Sequence, residues 1–464
     1  MPSVNRPCPA IVAAGTASGV GKTSMALGLA ALLARRGMKV QTFKVGPDFL
    51  DPGYLALASG RISYNLDSWM CGADYAKNLY ARKTADADIA VVEGVMGMYD
   101  GAEAASSRGS TADIAALLGA PVLLAVNARG AARSLAAVVK GFCDFEPDAR
   151  IIGVAANFCG VDRHAGILRE ALASAGLPPL LAAMPKGALP ELFSRHLGLM
   201  SADTRTLTAQ TIQRLADAVE AHADINALIA AASSTVPRKA EAARAPSAPL
   251  ARIGVAMDEA FHFYYHDSLE TLEKAGAQLV YFSPVRDAGL PEGLDGLYLG
   301  GGYPEVHAQA LSRNTGMIRA VVEFAAAGHP VYAECGGLIY LSRGVEMADG
   351  ARHSFAGILP VWARMRNSYK SLGYAEAVFS RDTLLGKSGG SVKGHMFHYS
   401  ELIEDPLGCE GWQASYTVRR KGVDAPEGFL GGRNVLATYL HAHLVSHPAA
   451  AESFVNRCRA AAHV

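Results

Sequence analysis

Short apolar runs alternating with longer helix-period stretches, in both halves of the chain, constrain its fold more than any other feature. In the first half the runs are Ala10–Ala14, Val40–Val45, Ile89–Val92, Val122–Val126 and Ile151–Ala155; in the second they include Ile253–Met257, Leu279–Phe282, Leu297–Leu299 and Val331–Ala333. Runs apolar at consecutive positions need burial on both faces, as parallel strands covered by helices receive. The pattern predicts an α/β fold of two doubly wound domains. Between the halves, residues 231–249 are rich in Ala, Ser and Pro and offer little surface to bury, so a linker is expected there. The division read from the sequence is a first domain at 1–232, a linker at 233–250 and a second domain at 251–464.

A length of 464 residues exceeds one core and suits two domains of about 200 residues each. The 43 basic and 43 acidic residues cancel, which argues against a nucleic-acid partner. No apolar run approaches the roughly 18 residues of a membrane span. Residues 1–9 are polar and contain proline, and the apolar run after them leads into a glycine loop; a first strand is expected there, not a signal peptide. The seven cysteines (Cys8, Cys71, Cys143, Cys159, Cys335, Cys409 and Cys458) are odd in number and lack CxxC spacing. That disfavours structural zinc and fits free thiols in a reducing compartment. A soluble cytoplasmic enzyme is expected.

Thr16-Ala17-Ser18-Gly19-Val20-Gly21-Lys22-Thr23 follows the first run and precedes a helical pattern from Ser24 to Arg36. The spacing is that of a P-loop, except that Thr16 holds the usual first-glycine place and Gly15 stands one earlier. Gly19 and Gly21 let backbone N–H groups converge on phosphate oxygens, and Lys22 reaches the outer phosphates. Thr23, followed by Ser24, opens the helix, and its hydroxyl can ligate Mg²⁺. Asp48 and Glu93 follow strand-like runs, and strand C-termini line the ligand crevice of open α/β sheets. With Thr23 they make a candidate oxygen-ligand site for Mg²⁺. Lys44 is a candidate for neutralising charge on an acyl phosphate. The glycine-rich loop Gly94–Gly101 should face the same crevice and offers Tyr99 and Asp100 to a substrate. Ser110 reads as the N-cap of the next helix.

In the second half, Val331-Tyr332-Ala333-Glu334-Cys335-Gly336-Gly337-Leu338 carries an apolar run into a thiol followed by two glycines. This is the strand–turn–helix elbow by which a chain presents a nucleophile. A cysteine nucleophile needs a base brought close by the fold. The histidines weighed are His395 and His398, and the pair His441 and His443. His441 ends a strand-like run and is assigned as the base; His443 points to the opposite face if the strand continues. Leu299-Gly300-Gly301-Gly302-Tyr303-Pro304-Glu305 ends another run. Its glycines permit close backbone approach, and the N–H groups of Gly302 and Gly336 are assigned as donors to a tetrahedral oxyanion.

Together these residues resemble known families. The C-terminal half resembles the class I glutamine amidotransferases, whose glutaminase uses Cys and His. The N-terminal half resembles the dethiobiotin synthetase type of P-loop NTPase-fold ligase. In this order the two resemble the cobyrinic acid a,c-diamide synthase family of corrinoid biosynthesis. The match covers almost the whole chain and rests on Gly15–Ser24, Lys44–Pro52, Glu93–Gly101, Ser194–Leu199, Asp258–Tyr265, Gly394–Ser400 and Tyr439–His443.

The resemblance implies a glutamine-dependent amidation. Cys335 would form a glutamyl thioester and release ammonia, with His441 moving protons. ATP with Mg²⁺ would phosphorylate the a- and c-acetate carboxylates of the ring, and ammonia delivered internally would displace phosphate. The implied partners are ATP, glutamine and a corrinoid tetracarboxylate or related tetrapyrrole, with a homodimer as the candidate assembly. Glutaminases of this class usually carry His-Pro-Glu, whereas His441-Ala442-His443 has no acid two places on. A Cys–His dyad with slow glutamine hydrolysis is therefore expected. Asn157 is a candidate for the adenine edge; Asn127, where related sequences often carry Asp, receives no role. The rival readings are a nickel-sirohydrochlorin a,c-diamide synthase and a P-loop ATPase carrying an inert glutaminase-like module. Cys335 with its base argues against the second.

Overall fold

The computed structural model describes residues 6–160, 162–190, 208–240, 248–368, 370–420, 422–431, 434–447 and 449–461. Ser194–Leu199, one of the segments quoted above, lies outside the described residues. The described residues divide into two units, one up to residue 240 and one from residue 248.

The first unit is built on seven strands: β1 (Ala10–Gly15), β2 (Val40–Val45), β3 (Tyr64–Leu66), β4 (Ile89–Glu93), β5 (Val122–Asn127), β6 (Ile151–Cys159) and β7 (Leu180–Pro185). They form one parallel sheet in the order β3-β2-β4-β1-β5-β6-β7. All five apolar runs of the first half are strands of it. The runs are continuous because both faces are covered. Val12, Val92 and Leu124 pack with Tyr80 and Leu118 of the helices Ala73–Lys83 and Thr111–Leu118. Ile11, Val91 and Leu123 pack with Leu27 and Leu215 of the helices Lys22–Arg35 and Ala209–His222. Ser110 accepts the Asp113 N–H at 3.1 Å and caps the helix Thr111–Leu118. Parallel pairing sets every strand C-terminus on one edge, which gathers the loops after β1, β2, β4 and β6.

The stretch 233–250 begins as part of this unit. Ser233 exchanges backbone hydrogen bonds with Ala10 at 3.3 Å, Thr235 N–H reaches Leu118 O at 2.9 Å, and Lys239 N–H reaches Ala81 O at 3.0 Å. Val236 enters the core. Backbone partners and one apolar anchor hold a segment whose composition alone suggests a free linker. Residues 241–247 lie outside the described residues.

The second unit contains β8 (Ala251–Ala256), β9 (Phe261–Phe263), β10 (Ala277–Phe282), β11 (Gly296–Leu299), β12 (Gly301–Gly302), β13 (Val331–Glu334), β14 (Ser342–Glu346), β15 (Arg352–Ser354), β16 (Leu359–Met365), β17 (Ser371–Phe379), β18 (Ser391–His398), β19 (Ser400–Leu402), β20 (Gln413–Arg420), β21 (Val423–Gly431), β22 (Val435–Thr438) and β23 (Leu440–Ala442). Its main sheet runs β10-β8-β11-β13-β22-β21-β20-β17-β18-β23. The first five strands are parallel. The remaining pairs are antiparallel.

The wound parallel core is therefore present, but it carries an antiparallel extension that the apolar runs did not announce. The extension is half-solvated, so β17 alternates between buried and partly exposed positions and offers no continuous apolar run. Only Tyr439 separates β22 from β23, yet these strands stand fifth and tenth in the sheet. The extension must curl until its edge strand returns to the centre. That curl sets β18 beside the end of β13.

Candidate active sites

In the first unit, the loop after β1 opens the helix Lys22–Arg35. Gly21 has φ 97°, and a Cβ there would lie 2.2 Å from Asn157 Nδ2, so only glycine fits. Asn157, at the end of β6, donates from Nδ2 to Val20 O at 3.1 Å and accepts the Phe158 N–H at 2.8 Å. It braces the phosphate loop; of its two amide hydrogens Val20 takes one. Gly19 lies in the same loop, and Ser24 sits half-buried in the first helical turn. Lys22 Nζ donates to Ala17 O at 2.9 Å, across the loop.

Beside the loop lies a buried ionic cluster. Thr23 Oγ1 donates to Glu93 Oε1 at 2.6 Å. Lys44 Nζ reaches Asp51 Oδ2 at 2.7 Å, Glu93 Oε1 at 2.9 Å and Gly94 O at 2.9 Å. All three ammonium hydrogens are thus engaged within the protein. Burial alone would discharge Lys44, but the carboxylates of Asp51 and Glu93, with Asp48 beyond, hold it protonated. Burial pushes the Glu93 carboxyl up, and the charge of Asp51 adds to that. Lys44 is placed among these carboxylates as their counter-charge.

The donor set fits a hard divalent cation. Glu93 Oε2 is buried and makes no hydrogen bond among the described residues, and the Thr23 hydroxyl lies on the same carboxylate, which is oxygen chemistry of the Mg²⁺ kind; no three acidic, His or Cys side chains are gathered there among the described residues, so phosphate and water would complete the shell. Asp48 Oδ1 accepts the N–H groups of Leu50 and Asp51 at 2.8 and 3.0 Å and shapes the turn into the helix Asp51–Ser59. Asp51 received no role from the sequence; an acid opening a helix before proline reads as an ordinary terminus. Tyr99 donates its hydroxyl to Phe142 O and packs on the rings of Phe142 and Phe145. Asp100 accepts the Gly97 N–H at 2.7 Å and is exposed. Asn127 Oδ1 accepts the Arg129 N–H at 2.9 Å, a turn contact.

In the second unit, Cys335 follows β13 at φ 47° and ψ −95°, a conformation that costs a non-glycine residue about 1–3 kcal/mol. The helix Gly336–Leu341 starts at once. The elbow predicted from the sequence is therefore present and strained. Gly302 has φ 152°, and a Cβ there would meet Ala260 O at 2.1 Å. A Cβ on Gly336 would stand 3.0 Å from Gly302 N, so the two proposed oxyanion donors are adjacent. On the other side of the glycine loop, a Cβ on Gly301 would lie 2.2 Å from His441 Cε1. Cys335 Sγ contacts Phe397 O of β18 at 3.7 Å. The loop thus lies against both the elbow and the His441 ring.

His443 faces elsewhere, with Nε2 at 3.4 Å from Asp267 Oδ1 and its ring stacked on Tyr265. His395 stands opposite His441 in the β18–β23 pairing. His398 bonds Ser400 O at 2.7 Å and stacks on Tyr439. Burial holds the His441 imidazole down to about 3, with His395 and His398 adding to it. Burial pushes the Cys335 thiol up, and the carboxylates of Glu305 and Glu334 add to that. The resting pair is a neutral thiol and a neutral imidazole.

Two buried acids that the sequence does not single out organise this region. Glu427 accepts Thr438 Oγ1 at 2.7 Å and Tyr439 N–H at 2.6 Å, pinning the turn into β23, while Thr438 O takes the Cys335 N–H at 2.7 Å. Glu334 lies next to Cys335, with Oε2 4.0 Å from His441 Nδ1. An acid inside an apolar strand was the available signal for Glu334; for Glu427 there was none.

The fold and these sites define a nucleotide-binding unit joined to a glutamine amidotransferase unit. Residues 11–199 match the CobQ/CobB/MinD/ParA nucleotide binding domain, and residues 252–449 match the CobB/CobQ-like glutamine amidotransferase domain. The chain is 53% identical to cobyrinate a,c-diamide synthase of Syntrophotalea carbinolica over 97% of its own length and 99% of that protein. It is 39% identical to the cobyrinate a,c-diamide synthase of Leptospira interrogans over 98% and 99% of the two chains. To hydrogenobyrinate a,c-diamide synthase of Streptomyces coelicolor it is 40% identical, over 97% and 98%. A solved glutamine amidotransferase is similar over 46% of this chain and 99% of its own, with 20% identity and a TM-score of 0.32. The chain belongs to the cobyrinate a,c-diamide synthase family, and is a carbon–nitrogen ligase that uses ATP and glutamine.

Proposed function

We propose that this protein amidates the a- and c-acetate carboxylates of cobyrinate or hydrogenobyrinate, with ammonia released from glutamine at Cys335. The observation that carries the reading is the strained Cys335 elbow, packed on the glycine loop that also abuts His441, in one chain with a phosphate loop and its carboxylate cluster. His441 takes the thiol proton as sulfur attacks the glutamine carboxamide carbon. The N–H groups of Gly302 and Gly336 receive the oxyanion. His441 then protonates the departing nitrogen, the C–N bond breaks, and ammonia leaves behind a γ-glutamyl thioester. Water, deprotonated by His441, cleaves the thioester to glutamate and restores the thiol.

In the first unit, ATP binds on the loop of Gly19, Gly21, Lys22, Thr23 and Ser24, and the second amide hydrogen of Asn157 serves the adenine edge. Thr23, Glu93 and Asp48, with Asp51, would hold Mg²⁺, which neutralises phosphate charge when bound. Transfer of the γ-phosphoryl to a substrate carboxylate gives an acyl phosphate, and ammonia displaces phosphate to form the amide. Lys44 keeps the carboxylate cluster neutralised and placed. A carboxylate is a poor acyl donor and ammonium is no nucleophile, so the two chemistries belong on one chain. We assign the reaction to the cytoplasm, where ATP and glutamine are supplied.

The test is product mass after incubation with ATP, Mg²⁺ and glutamine, using cobyrinate, hydrogenobyrinate and nickel-sirohydrochlorin separately. Two additions of amide for carboxyl on a corrinoid are expected. Turnover of nickel-sirohydrochlorin alone would reject the corrinoid assignment.

A further inference from the structure

The acid missing after His441 has a counterpart elsewhere in the fold. The geometry points to Glu334 as the positioning residue of the thiol–imidazole pair, a carboxylate supplied from the nucleophile's own strand. The inference rests on the glutaminase reading of this unit. Glu334 is the last residue of β13, next to Cys335, and is 108 residues from Ala442. Its Oε1 accepts the Ala442 N–H at 3.0 Å, which ties the strand end bearing Cys335 to the backbone just after His441. Its Oε2 stands 4.0 Å from His441 Nδ1. That is longer than a hydrogen bond and within the range of a direct charge interaction. Both histidine and carboxylate are almost fully buried, at 1% and 2% side-chain exposure, so water screens the interaction little.

The carboxylate is held in place. Tyr298 donates its hydroxyl to Oε2 at 3.0 Å, and Tyr332 donates its hydroxyl to Oε1. The two rings stack with centroids 5.1 Å apart, and Tyr264 packs edge-on against Tyr298. Tyr264 Oη in turn accepts the Gly300 N–H at 2.7 Å, at the root of the glycine loop. One hydrogen-bonded and stacked series thus links the loop, the elbow and the strand of the base.

The charge matters at one moment. The resting imidazole and thiol are neutral, and proton transfer creates an imidazolium beside a thiolate in a buried site. Burial raises the Glu334 carboxyl to about 7, and its charge also opposes the neighbouring thiolate; in its ionised form it stabilises the imidazolium from the Nδ1 side, as the third member of a catalytic triad does. The titratable groups facing the pair include Tyr298 on β11, Tyr332 on β13, His395 and His398 on β18, Glu427 on β21, Tyr439 between β22 and β23, His443 beyond β23, and Glu305 after the glycine loop. Beside these, Glu334 brings Oε2 to 4.0 Å from Nδ1 of the His441 ring.

Glu334→Gln separates charge from shape. The amide oxygen still accepts from Ala442 and Tyr332, and the amide NH₂ can donate to Tyr298. Glutamine hydrolysis should lose about 10- to 100-fold in kcat, less than an orienting acid in direct hydrogen bond commands, with little change in KM for glutamine. The acid limb of kcat/KM should move to lower pH, because the imidazolium has lost its counter-charge. Amidation driven by ammonium salts in the same preparation should persist. Wild-type kcat with an unmoved pH limb would overturn the proposal. Parallel loss of the ammonium-driven reaction would also overturn it, by showing that Glu334 serves the fold. Absence of glutamine hydrolysis by the unmodified protein would instead remove the underlying glutaminase reading.

Discussion

Lys44 shows how one side chain can hold a buried site together. It lies at 3% side-chain exposure between Asp51 and Glu93, at 6% and 0%. Truncating one member of such a cluster leaves the others as uncompensated buried charge, a loss of about 3–5 kcal/mol. Lys44→Ala should lower the denaturant midpoint of the protein by that equivalent, measured by urea unfolding; a midpoint within error of the unmodified chain would show that the carboxylates find protons or solvent instead. Glu305 makes a different residue-scale case. Burial raises its carboxyl from the ordinary 4.5 to about 7. Between those values the folded protein holds a proton that the unfolded chain has released. Its contribution to stability is therefore complete below about pH 4.5 and is lost as pH rises through 7. Glu305→Gln cannot ionise, so its urea midpoint should fall less than that of the unmodified protein between about pH 5 and about pH 8. The difference is worth roughly 1.4 kcal/mol for every tenfold gain in proton affinity on folding, and equal slopes would show that Glu305 does not carry it.

The glycine loop β12 is the element whose backbone matters most. It pairs antiparallel with β9, and the Tyr303 N–H reaches Ala260 O at 2.9 Å. Asp258 anchors the turn before β9 by accepting the N–H groups of Ala260 and Phe261 at 2.8 and 3.1 Å. With Ala260 O 2.1 Å from any Cβ on Gly302, Gly302→Ala must push the loop off β9. Since the proposed oxyanion donor moves with it, glutamine hydrolysis should fall by about 100-fold or more, while ammonium-driven amidation continues. A kinetic comparison of the two nitrogen sources decides this. At the same scale, most parallel strands, though not the edge strands β3 and β7, were legible because burial on both faces leaves consecutive apolar residues. β17 and β20 were not, because each shows one face to solvent and its identity depends on a neighbour distant in sequence.

For the whole molecule, separate nitrogen supply and nitrogen use lead to a simple expectation. Cys335→Ala should abolish glutamine-driven amidation, with at least about a 1000-fold loss expected for removal of a nucleophile, and keep activity at high ammonium concentration. Loss with both nitrogen sources would assign Cys335 to the fold. Two α/β units, the phosphate loop, the thiol elbow and the family were all present in local sequence, because consecutive burial and the demand for glycine at tight approaches act over a few residues. Only the tertiary structure decided that Lys44 is a counter-charge within its cluster, that Tyr99 packs on a helix, and that residues 233–239 belong to the first unit. It also set a carboxylate near His441 from the strand before Cys335, where the segment after the histidine offers none. Such pairings depend on which strands lie side by side, and a buried charge finds its partner across the sheet, not along the chain.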